Sequence, residues 1–201
     1  TTEAAGVLPE LVAHWKMESN LNDETGKNSL SVVNTFSYSA GKDGLCADFT
    51  GTNYGITTSP YGLDRDIYTV TAWVRRTSHN TAPYVRMTGI GHFITDATGQ
   101  WVFVGENSAT GKVSSTYTLP AGPLTEWHNF AAVINRSNNT IKFYLDGALH
   151  HTSTISSWTA DGTELMVGRF GAGYVWNGYI DDVKIYGGEL SDSEISSIGS
   201  P

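Results

Sequence analysis

The chain has 201 residues, of which 39% are hydrophobic, and this length is sufficient for one domain with a sizeable core. The formal net charge is −8, and Lys and Arg form no cluster that could follow a phosphate backbone, so we expect no nucleic-acid partner. No stretch approaches the roughly 20 apolar residues of a membrane-spanning helix, so we expect no membrane insertion.

Alternating hydrophobic and polar residues, together with 22 glycines, predict many short strands joined by tight turns. The first nine residues, which end in Pro9, are predicted to form a loose arm, and residues 10–201 a single domain. Strands are predicted at residues 11–17, 30–36, 45–49, 67–75, 84–95, 101–105, 113–118, 127–135, 140–146, 149–155, 164–168 and 176–186. Cys46 is the only cysteine and is interpreted as a small buried strand residue.

Local signals predict two hairpins and one short helix. A polar turn at residues 135–139 joins two of the strands, and Asp146-Gly147, a dipeptide that tolerates positive φ, joins the next pair. Ser191 and Glu194 form a capping-box pattern, which predicts one helical turn at residues 193–198. About a dozen strands without interleaved helices predict an all-β sandwich or barrel with antiparallel pairing.

Four segments, taken in order, carry a resemblance to a known family. They are residues 11–15 (LVAHW) followed by 23–28 (DETGKN), residues 69–74 (TVTAWV), residues 126–128 (EWH) leading to 145–147 (LDG), and residues 178–186 (GYIDDVKIY) before 190–191 (LS). Their order and spacing resemble the LamG-like jelly-roll family of the concanavalin-A-like lectin and glucanase superfamily. The resemblance implies a jelly-roll sandwich of two antiparallel sheets, but it specifies function much less, because members include carbohydrate-binding modules, adhesion domains and accessory parts of hydrolases.

The resemblance also implies a structural calcium ion, Ca²⁺, held between the first loop and the last strand. The implied ligands are Glu18, Asp23, Asn28 and Asp182, and their carboxylate and amide oxygens are the donors that calcium prefers. The alternative is an ordinary solvated acidic loop, in which Asn and Asp side chains form Asx turns.

No catalytic residues are predicted, and the sequence leans against an enzyme without settling the question. Asp181 and Asp182 are neighbours in a predicted strand, so their side chains should point to opposite faces and not act as a pair. The Glu-x-Asp-x-x-Glu pattern of jelly-roll glucanases is absent, as are the Gln-x-His and Arg-x-Glu-x-Arg patterns of jelly-roll alginate lyases. His150 and His151 are likewise expected on opposite faces, which disfavours a zinc site.

Two stretches combine aromatic rings with a planar guanidinium, as a sugar-binding surface requires. The candidate ligand-binding residues are Arg169, Tyr174 and Trp176 in one loop, and Tyr84 and Arg86 on one strand with His92 and Trp101 on the strands that follow. The alternative is that most aromatic residues are core, for which Trp15, Trp73 and Trp127 are the best candidates. Trp101, Trp158 and Trp176 are the better candidates for exposed rings.

The leading prediction is a non-catalytic carbohydrate-binding lectin or module whose partner is a glycan or polysaccharide. The alternatives are a protein-interaction or adhesion domain of laminin-G type and, less favoured, a polysaccharide lyase or glycoside hydrolase. Two adjacent sequons, at Asn135 and Asn138, are candidate glycosylation sites and give mild support to a secreted, extracellular protein. The chain is expected to be either a mature protein or part of a larger multidomain one.

Overall fold

A computed structural model describes residues 8–58, 61–62, 64–78, 82–87, 91–95, 101–105, 125–154, 164–170 and 174–200. Its strands are β1 (Leu11–Trp15), β2 (Ser31–Val33), β3 (Ser37–Ala40), β4 (Leu45–Asp48), β5 (Tyr54–Thr57), β6 (Ile67–Arg76), β7 (Ala82–Met87), β8 (Gly91–Thr95), β9 (Trp101–Gly105), β10 (His128–Asn135), β11 (Thr140–Leu145), β12 (Ala148–Thr154), β13 (Leu165–Val167), β14 (Arg169–Phe170), β15 (Tyr174–Val175) and β16 (Gly178–Tyr186), and its helix is α1 (Asp192–Gly199). No described helix has the length and apolar character needed to cross a bilayer.

The strands form two large antiparallel sheets, as the resemblance implied. The eight-stranded sheet has the order β12-β11-β10-β6-β16-β4-β3, with β1 also paired to β16, and the six-stranded sheet has the order β2-β5-β13-β7-β8-β9. A two-stranded ribbon, β14-β15, lies against β7. The prediction of a jelly-roll sandwich is confirmed. The first and last long strands, β1 and β16, are hydrogen-bonded neighbours, so the two ends of the domain meet in one sheet.

The core lies between the two large sheets and follows the alternation of the strands. On β6 the side chains of one parity lie in the core, and Thr69, Thr71 and Trp73, of the other parity, are also buried. Both faces of this central strand are therefore covered. The fully buried large side chains include Trp15, Phe49, Tyr68 and Trp176. Cys46 is buried and free, as predicted.

The two predicted hairpins and the helix are confirmed. β10 pairs with β11 and β11 with β12, and at the second turn Asp146 and Gly147 have φ values of 50° and 77°. The φ of Gly147, and the helix backbone at Ser196 that lies where a Cβ would stand, both favour glycine at this position. The helix begins after Ser191 with both hydrogen bonds of a capping box.

The structure corrects several predicted elements. Residues 84–95 form two strands rather than one, and β3, β5, β14 and β15 were not predicted. The expectation for Trp127 is wrong, because this side chain is only partly buried and belongs to neither hydrophobic cluster. Trp73 is buried, but it lies outside the cluster between the sheets. The predicted strand at 113–118, Trp158 and most of the N-terminal arm lie outside the described residues.

A bulge interrupts the last strand at the pair of aspartates. The register of β16 against β6 shifts between Asp181 and Lys184, and Asp182 has a φ of 47° in the left-handed region. Such a bulge breaks the simple alternation expected for neighbouring strand residues. Asp181 and Asp182 nevertheless contact different parts of the molecule, as described below.

Candidate functional site

The two predicted ligand-binding stretches meet on the outer face of the six-stranded sheet. Register pairs Met166 of β13 with Ile56 of β5 on one side and with Arg86 of β7 on the other. Val85 and Val167, of the opposite parity, lie in the core, so this row of three side chains faces away from it. We call this surface the six-stranded face. All three side chains are partly buried.

A charged pair lies on this face. The side chain of Arg86 is 13% exposed, and its Nη1 lies 3.8 Å from a carboxylate oxygen of Glu164. Glu164 immediately precedes β13 and shares the parity of Met166. At this distance the contact is an ion pair rather than a hydrogen bond, and the guanidinium is mostly withdrawn from water, which strengthens its electrostatic interactions.

A cation and an aromatic ring lie on the same face as this pair. The guanidinium carbon of Arg169, on β14, is 4.7 Å from the ring centroid of Tyr54, on β5. Gly55, the neighbour of Tyr54, faces the core side chains of Leu21 and Leu30, so Tyr54 points to the outer face. Guanidinium groups and ring faces at one surface can hold sugar hydroxyls or a carboxylate and stack on apolar C–H groups.

One candidate is corrected by its burial. Trp176 is 1% exposed and belongs to the main core cluster, so its ring is not offered to a ligand at the surface. Of the remaining candidates, Arg86 and His92 are paired in the β7–β8 register, and Trp101 is paired with Thr95. The side chains of Tyr84, His92, Trp101 and Tyr174 lie outside the described part of the chain.

Sequence reasoning missed Tyr54 and Glu164. Neither residue stands in a stretch with both rings and cations, and no local pattern marks them. Only the strand order, in which β13 lies between β5 and β7, brings Tyr54 and Glu164 to the same face as Arg86 and Arg169.

The first loop is organised around the carboxylate of Asp23, which is 5% exposed. It accepts hydrogen bonds from the backbone N–H groups of His14 at 2.8 Å, Thr25 at 3.0 Å, Lys27 at 3.0 Å and Asn28 at 2.7 Å. Burial acts to raise the pKa of Asp23, but the Thr25 hydroxyl and these N–H groups outweigh it and lower the pKa. The carboxylate thus fixes the loop in its charged form.

Asn28 connects the first loop to two other segments. Its Nδ2 donates to the carbonyl oxygens of Val12 and Tyr61, and its Oδ1 accepts from the N–H of Tyr61 at 2.6 Å. The backbone carbonyl of Asn28 accepts from Trp15 Nε1 in the core. The polar atoms of this buried amide are therefore engaged within the chain.

Asp182 is held by two side chains, His14 and Lys184. Its Oδ1 lies 2.6 Å from Nε2 of His14, and its Oδ2 accepts from Nζ of Lys184 at 2.5 Å. Burial acts to raise the pKa of Asp182, but its hydrogen bonds with these two side chains outweigh burial and lower the pKa. The backbone N–H of His14 donates to Asp23, so His14 links the first loop to the last strand.

Glu18 and Asp181 contact a different segment, the 41–45 turn. Both oxygens of Glu18 accept from the N–H of Leu45, and Asp181 accepts from the N–H of Lys42 at 2.8 Å and of Asp43 at 3.3 Å. Asp181 is 1% exposed, and burial outweighs these two hydrogen bonds and raises its pKa to about 6. Two carboxylates thus hold one turn from either side.

The four predicted calcium ligands do not form one donor set. Glu18 contacts the 41–45 turn, Asp23 and Asn28 accept backbone N–H groups within the first loop and near residue 61, and Asp182 contacts His14 and Lys184. Among the described residues, no group of three or more His, Cys, Asp or Glu side chains is placed to hold a metal ion. Each of the four side chains is engaged with partners within the chain, and calcium binding stays a prediction.

The two sequons lie in the turn between β10 and β11. Asn135 is partly buried and its Oδ1 accepts from the N–H of Asn138, whereas Asn138 is exposed and its Oδ1 accepts from Thr140. Glycosylation of either residue remains a prediction.

Comparison with known proteins defines the class. A family model described as the concanavalin A-like lectin/glucanases superfamily (Laminin_G_3) matches residues 49–196. Since this is most of the chain, the protein belongs to that family of jelly-roll domains. No curated protein sequence matches the chain.

Solved structures share the fold at low sequence identity. Domain 4 of AbnA, an extracellular arabinanase of Geobacillus stearothermophilus solved with arabinotriose, has a TM-score of 0.78 and 19% identity, covering 96% of this chain and 100% of that one. The binding domain of botulinum neurotoxin DC, solved with SialylT, has a TM-score of 0.72 and 13% identity, and the match covers 94% of this chain and 50% of the toxin chain. The binding domain of Paraclostridial Mosquitocidal Protein 1 has a TM-score of 0.76 and 15% identity, and the match covers 94% of this chain and 51% of the other. The chain thus spans about half of each toxin domain.

Proposed function

We propose that this domain is a non-catalytic carbohydrate-binding module that binds its sugar on the six-stranded face. The observation that carries the proposal is the convergence of Arg86 and Arg169 on that face, with the Tyr54 ring and the Glu164 carboxylate beside them. The two arginines are far apart in sequence, but Arg86 lies on β7, and β14, which carries Arg169, packs against β7.

The chemistry of this surface matches what sugars need. A sugar offers apolar C–H groups to a ring and hydroxyl groups to fixed polar atoms, and Tyr54, Arg169, Arg86 and Glu164 supply both kinds of contact. A guanidinium also holds a carboxylate through two parallel hydrogen bonds, so uronic and sialic acids are the first sugars to test. The structural neighbours that were solved with arabinotriose and SialylT support a glycan as the ligand.

The test is a glycan array followed by titration of the best ligand against matched variants. Arg86→Ala and Arg169→Ala should each weaken binding by about tenfold or more, because hydrogen bonds to charged groups contribute roughly 1.5–3 kcal/mol. Arg65→Ala is the control, since Arg65 pairs with Glu10 away from this face. Removal of Arg86 leaves Glu164 unpaired, so Tyr54→Ala provides a second variant that keeps the charged pair.

Parent-like affinity in all three site variants, each shown to be folded by its melting curve, would place the ligand elsewhere. An array without any glycan hit, together with capture of a defined extracellular protein, would favour the protein-interaction alternative. Turnover of a polysaccharide that one of these substitutions abolishes would overturn the non-catalytic part of the proposal.

The structural calcium ion and the secreted location are separate proposals. Calcium bound only by the folded domain would raise the melting temperature by mass action, and chelation would lower it. Asp182→Ala should then reproduce most of the loss and remove the response to chelator. If the melting curve is the same with and without EDTA, the calcium proposal is overturned, and Asp182 binds only His14 and Lys184.

A further inference from the structure

A second group of rings and cations crosses the outer face of the eight-stranded sheet. Register pairs Tyr179 of β16 with Arg75 of β6, and pairs Val74 with His128, so Trp127 lies beside Arg75 on the other side. The guanidinium carbon of Arg75 is 4.4 Å from the ring centroid of Tyr179 and 5.1 Å from that of Trp127. Two neighbouring strands and the residue before β10 thus present the order ring, cation, ring.

This row belongs to neither hydrophobic cluster. The alternate residues of β6 fill the core, and the part of the outer face near α1 packs against Tyr186, Leu190 and Ile195. Arg75, Trp127 and Tyr179 are all partly exposed. Their side chains are therefore accessible on a face that the helix covers only in part.

The next row along β6 repeats the combination. Trp73 lies two residues before Arg75 and faces the same side of the sheet. The Nζ atom of Lys42 is 4.3 Å from the ring centroid of Trp73. Two cations and three rings therefore lie within two consecutive rows of one sheet surface. Trp73 is buried beneath Lys42, whereas the rings beside Arg75 are partly exposed, so the Arg75 row is the one that a ligand can reach.

A surface cavity of about 360 Å³ adjoins the row and is lined by Arg75, Arg76, Thr77, Thr125 and Tyr179. This volume lies at the lower end of the range for small-ligand sites. The hydroxyl of Thr77 donates to Asn177 and can still accept a hydrogen bond from a ligand, and Thr125 adds a second hydroxyl group. The cavity therefore combines a guanidinium, a ring and neutral hydrogen-bonding groups. That combination fits one sugar unit.

The guanidinium of Arg75 has donors that the rings do not use. No carboxylate among the described residues lies within salt-bridge distance of it, in contrast to Arg65 and Arg86. A ring face attracts the cation as a whole, whereas the N–H groups require oxygen acceptors for directed hydrogen bonds. A carboxylate that approaches along the edge of the guanidinium would accept two of them in parallel.

We propose that Arg75, Trp127 and Tyr179 form a second sugar-binding site, which takes a uronate unit of an acidic polysaccharide. The carboxylate of the uronate lies against Arg75, the apolar side of the sugar ring lies against Trp127 or Tyr179, and the sugar hydroxyls face Thr77 and Thr125. The site goes beyond the proposed function because it uses other residues on the opposite face of the sandwich. A domain with both sites can join two polysaccharide chains.

The experiment is a site-resolved titration of the whole domain with trigalacturonate, followed by NMR. The indole N–H signal of Trp127 should shift in a saturable manner, and Arg75→Met should weaken this binding by about tenfold to a hundredfold, as for a lost charge-assisted hydrogen bond. Arg75→Lys keeps the charge but loses the fork, so it should also bind more weakly than the parent. Neutral arabinotriose should bind this site less tightly than trigalacturonate.

Two variants serve as controls. Lys142→Met removes a cation from β11 that pairs with Glu189 and should leave the Trp127 titration unchanged. Trp127→Ala tests the site without changing a strand residue, since Trp127 precedes β10. Its melting curve shows whether the face still folds, and its loss of trigalacturonate binding is read from the Tyr179 signals.

The two sites are separated by the same titration. If Arg75→Met abolishes the shift of the Trp127 signal and Arg86→Ala does not change this shift, the second site is supported. This result does not depend on whether the six-stranded face binds a glycan. If Arg75→Met and Trp127→Ala bind trigalacturonate like the parent, the second site is overturned, even where Arg86→Ala still impairs glycan binding. A parent domain whose Trp127 signal does not respond to trigalacturonate overturns it as well.

Discussion

The first loop at residues 18–28 and the 41–45 turn each depend on a buried carboxylate, but the two carboxylates have opposite proton affinities. Asp23 is 5% exposed and Asp181 is 1% exposed, yet the pKa of Asp23 is lowered and that of Asp181 is raised to about 6. Burial acts to raise both pKa values. Asp23 accepts from a hydroxyl and four N–H groups, whereas Asp181 accepts from two N–H groups of the 41–45 turn and also lies beside the charge of Asp182, which raises its pKa further.

The comparison indicates which carboxylate stabilises the fold in its charged form. Asp23 is needed as an anion, because its charge strengthens every hydrogen bond that closes the first loop. Asp181 is disfavoured as an anion, because two N–H groups do not replace the water that it loses. Neutralisation of Asp23 should therefore destabilise the folded state, and neutralisation of Asp181 should stabilise it.

Removal of the Asp23 side chain should have the largest effect. Asp23→Ala leaves four backbone N–H groups without their acceptor, and we expect the free energy of unfolding to fall by about 3–4 kcal/mol. Urea denaturation measures the loss, with Asp64→Ala at an exposed position as the control. A loss below about 1 kcal/mol, within the range of ordinary surface substitutions, would show that the loop does not depend on Asp23.

Neutralisation of Asp181 should act in the other direction. The folded pKa of Asp181, about 6, lies above its usual value of 3.8, so its proton stabilises the folded state at low pH and this stability is lost as the pH rises through 4 to 6. The ionised form costs about 3 kcal/mol at pH 7.5, by the free energy of a pKa shift. Asp181→Asn should remove this cost, less what the amide loses in hydrogen bonding.

The measurement is the difference in unfolding free energy between parent and Asp181→Asn from pH 3.5 to 7.5. The free energy of unfolding of Asp181→Asn should increase relative to that of the parent as the pH rises. At pH 7.5 the variant should be at least as stable as the parent. A flat difference would contradict a raised pKa for Asp181. Asp23→Asn is the matched comparison, because its loss of unfolding free energy relative to the parent should increase from low pH to neutral pH.

Substitution of Gly44 tests the geometry of the turn that Asp181 and Glu18 hold. Gly44 has a φ of 64°, and the Glu18 carboxylate lies where a Cβ would stand. Gly44→Ala should therefore cost about 1–2 kcal/mol from backbone conformation and the displaced carboxylate. Thermal melting measures the effect, with Gly26→Ala, which has a φ of 74° but no atom within 4 Å of the added carbon, as the control for backbone strain alone.

The smallest effect is expected at Glu18. Its carboxylate is exposed and accepts from the N–H of Leu45, so Glu18→Ala should cost about 1 kcal/mol, as for an ordinary hydrogen bond. Glu18→Gln keeps an acceptor oxygen and should recover much of the loss. If the two substitutions have equal effects, the charge of Glu18 rather than its hydrogen bond stabilises the turn.

Local sequence alone determined the turns, the helix and the class of fold. Asp146-Gly147 predicts a hairpin because only a few residues adopt positive φ, and the Ser191–Glu194 capping box predicts the helix because it satisfies donors that every helix start leaves free. Alternation along β6 predicts a sandwich strand. These signals act between residues close in sequence, so they can be recognised without the fold.

The tertiary structure alone decided which rings are buried and which side chains meet. Alternation shows that neighbouring residues face opposite sides, but not which side another layer covers, so Trp127 was assigned to the core and Trp176 to the surface, and both assignments were wrong. The strand order placed β13 between β5 and β7 and thereby joined Arg86 to Tyr54 and Arg169. Contacts between distant segments depend on this order, which local patterns do not encode.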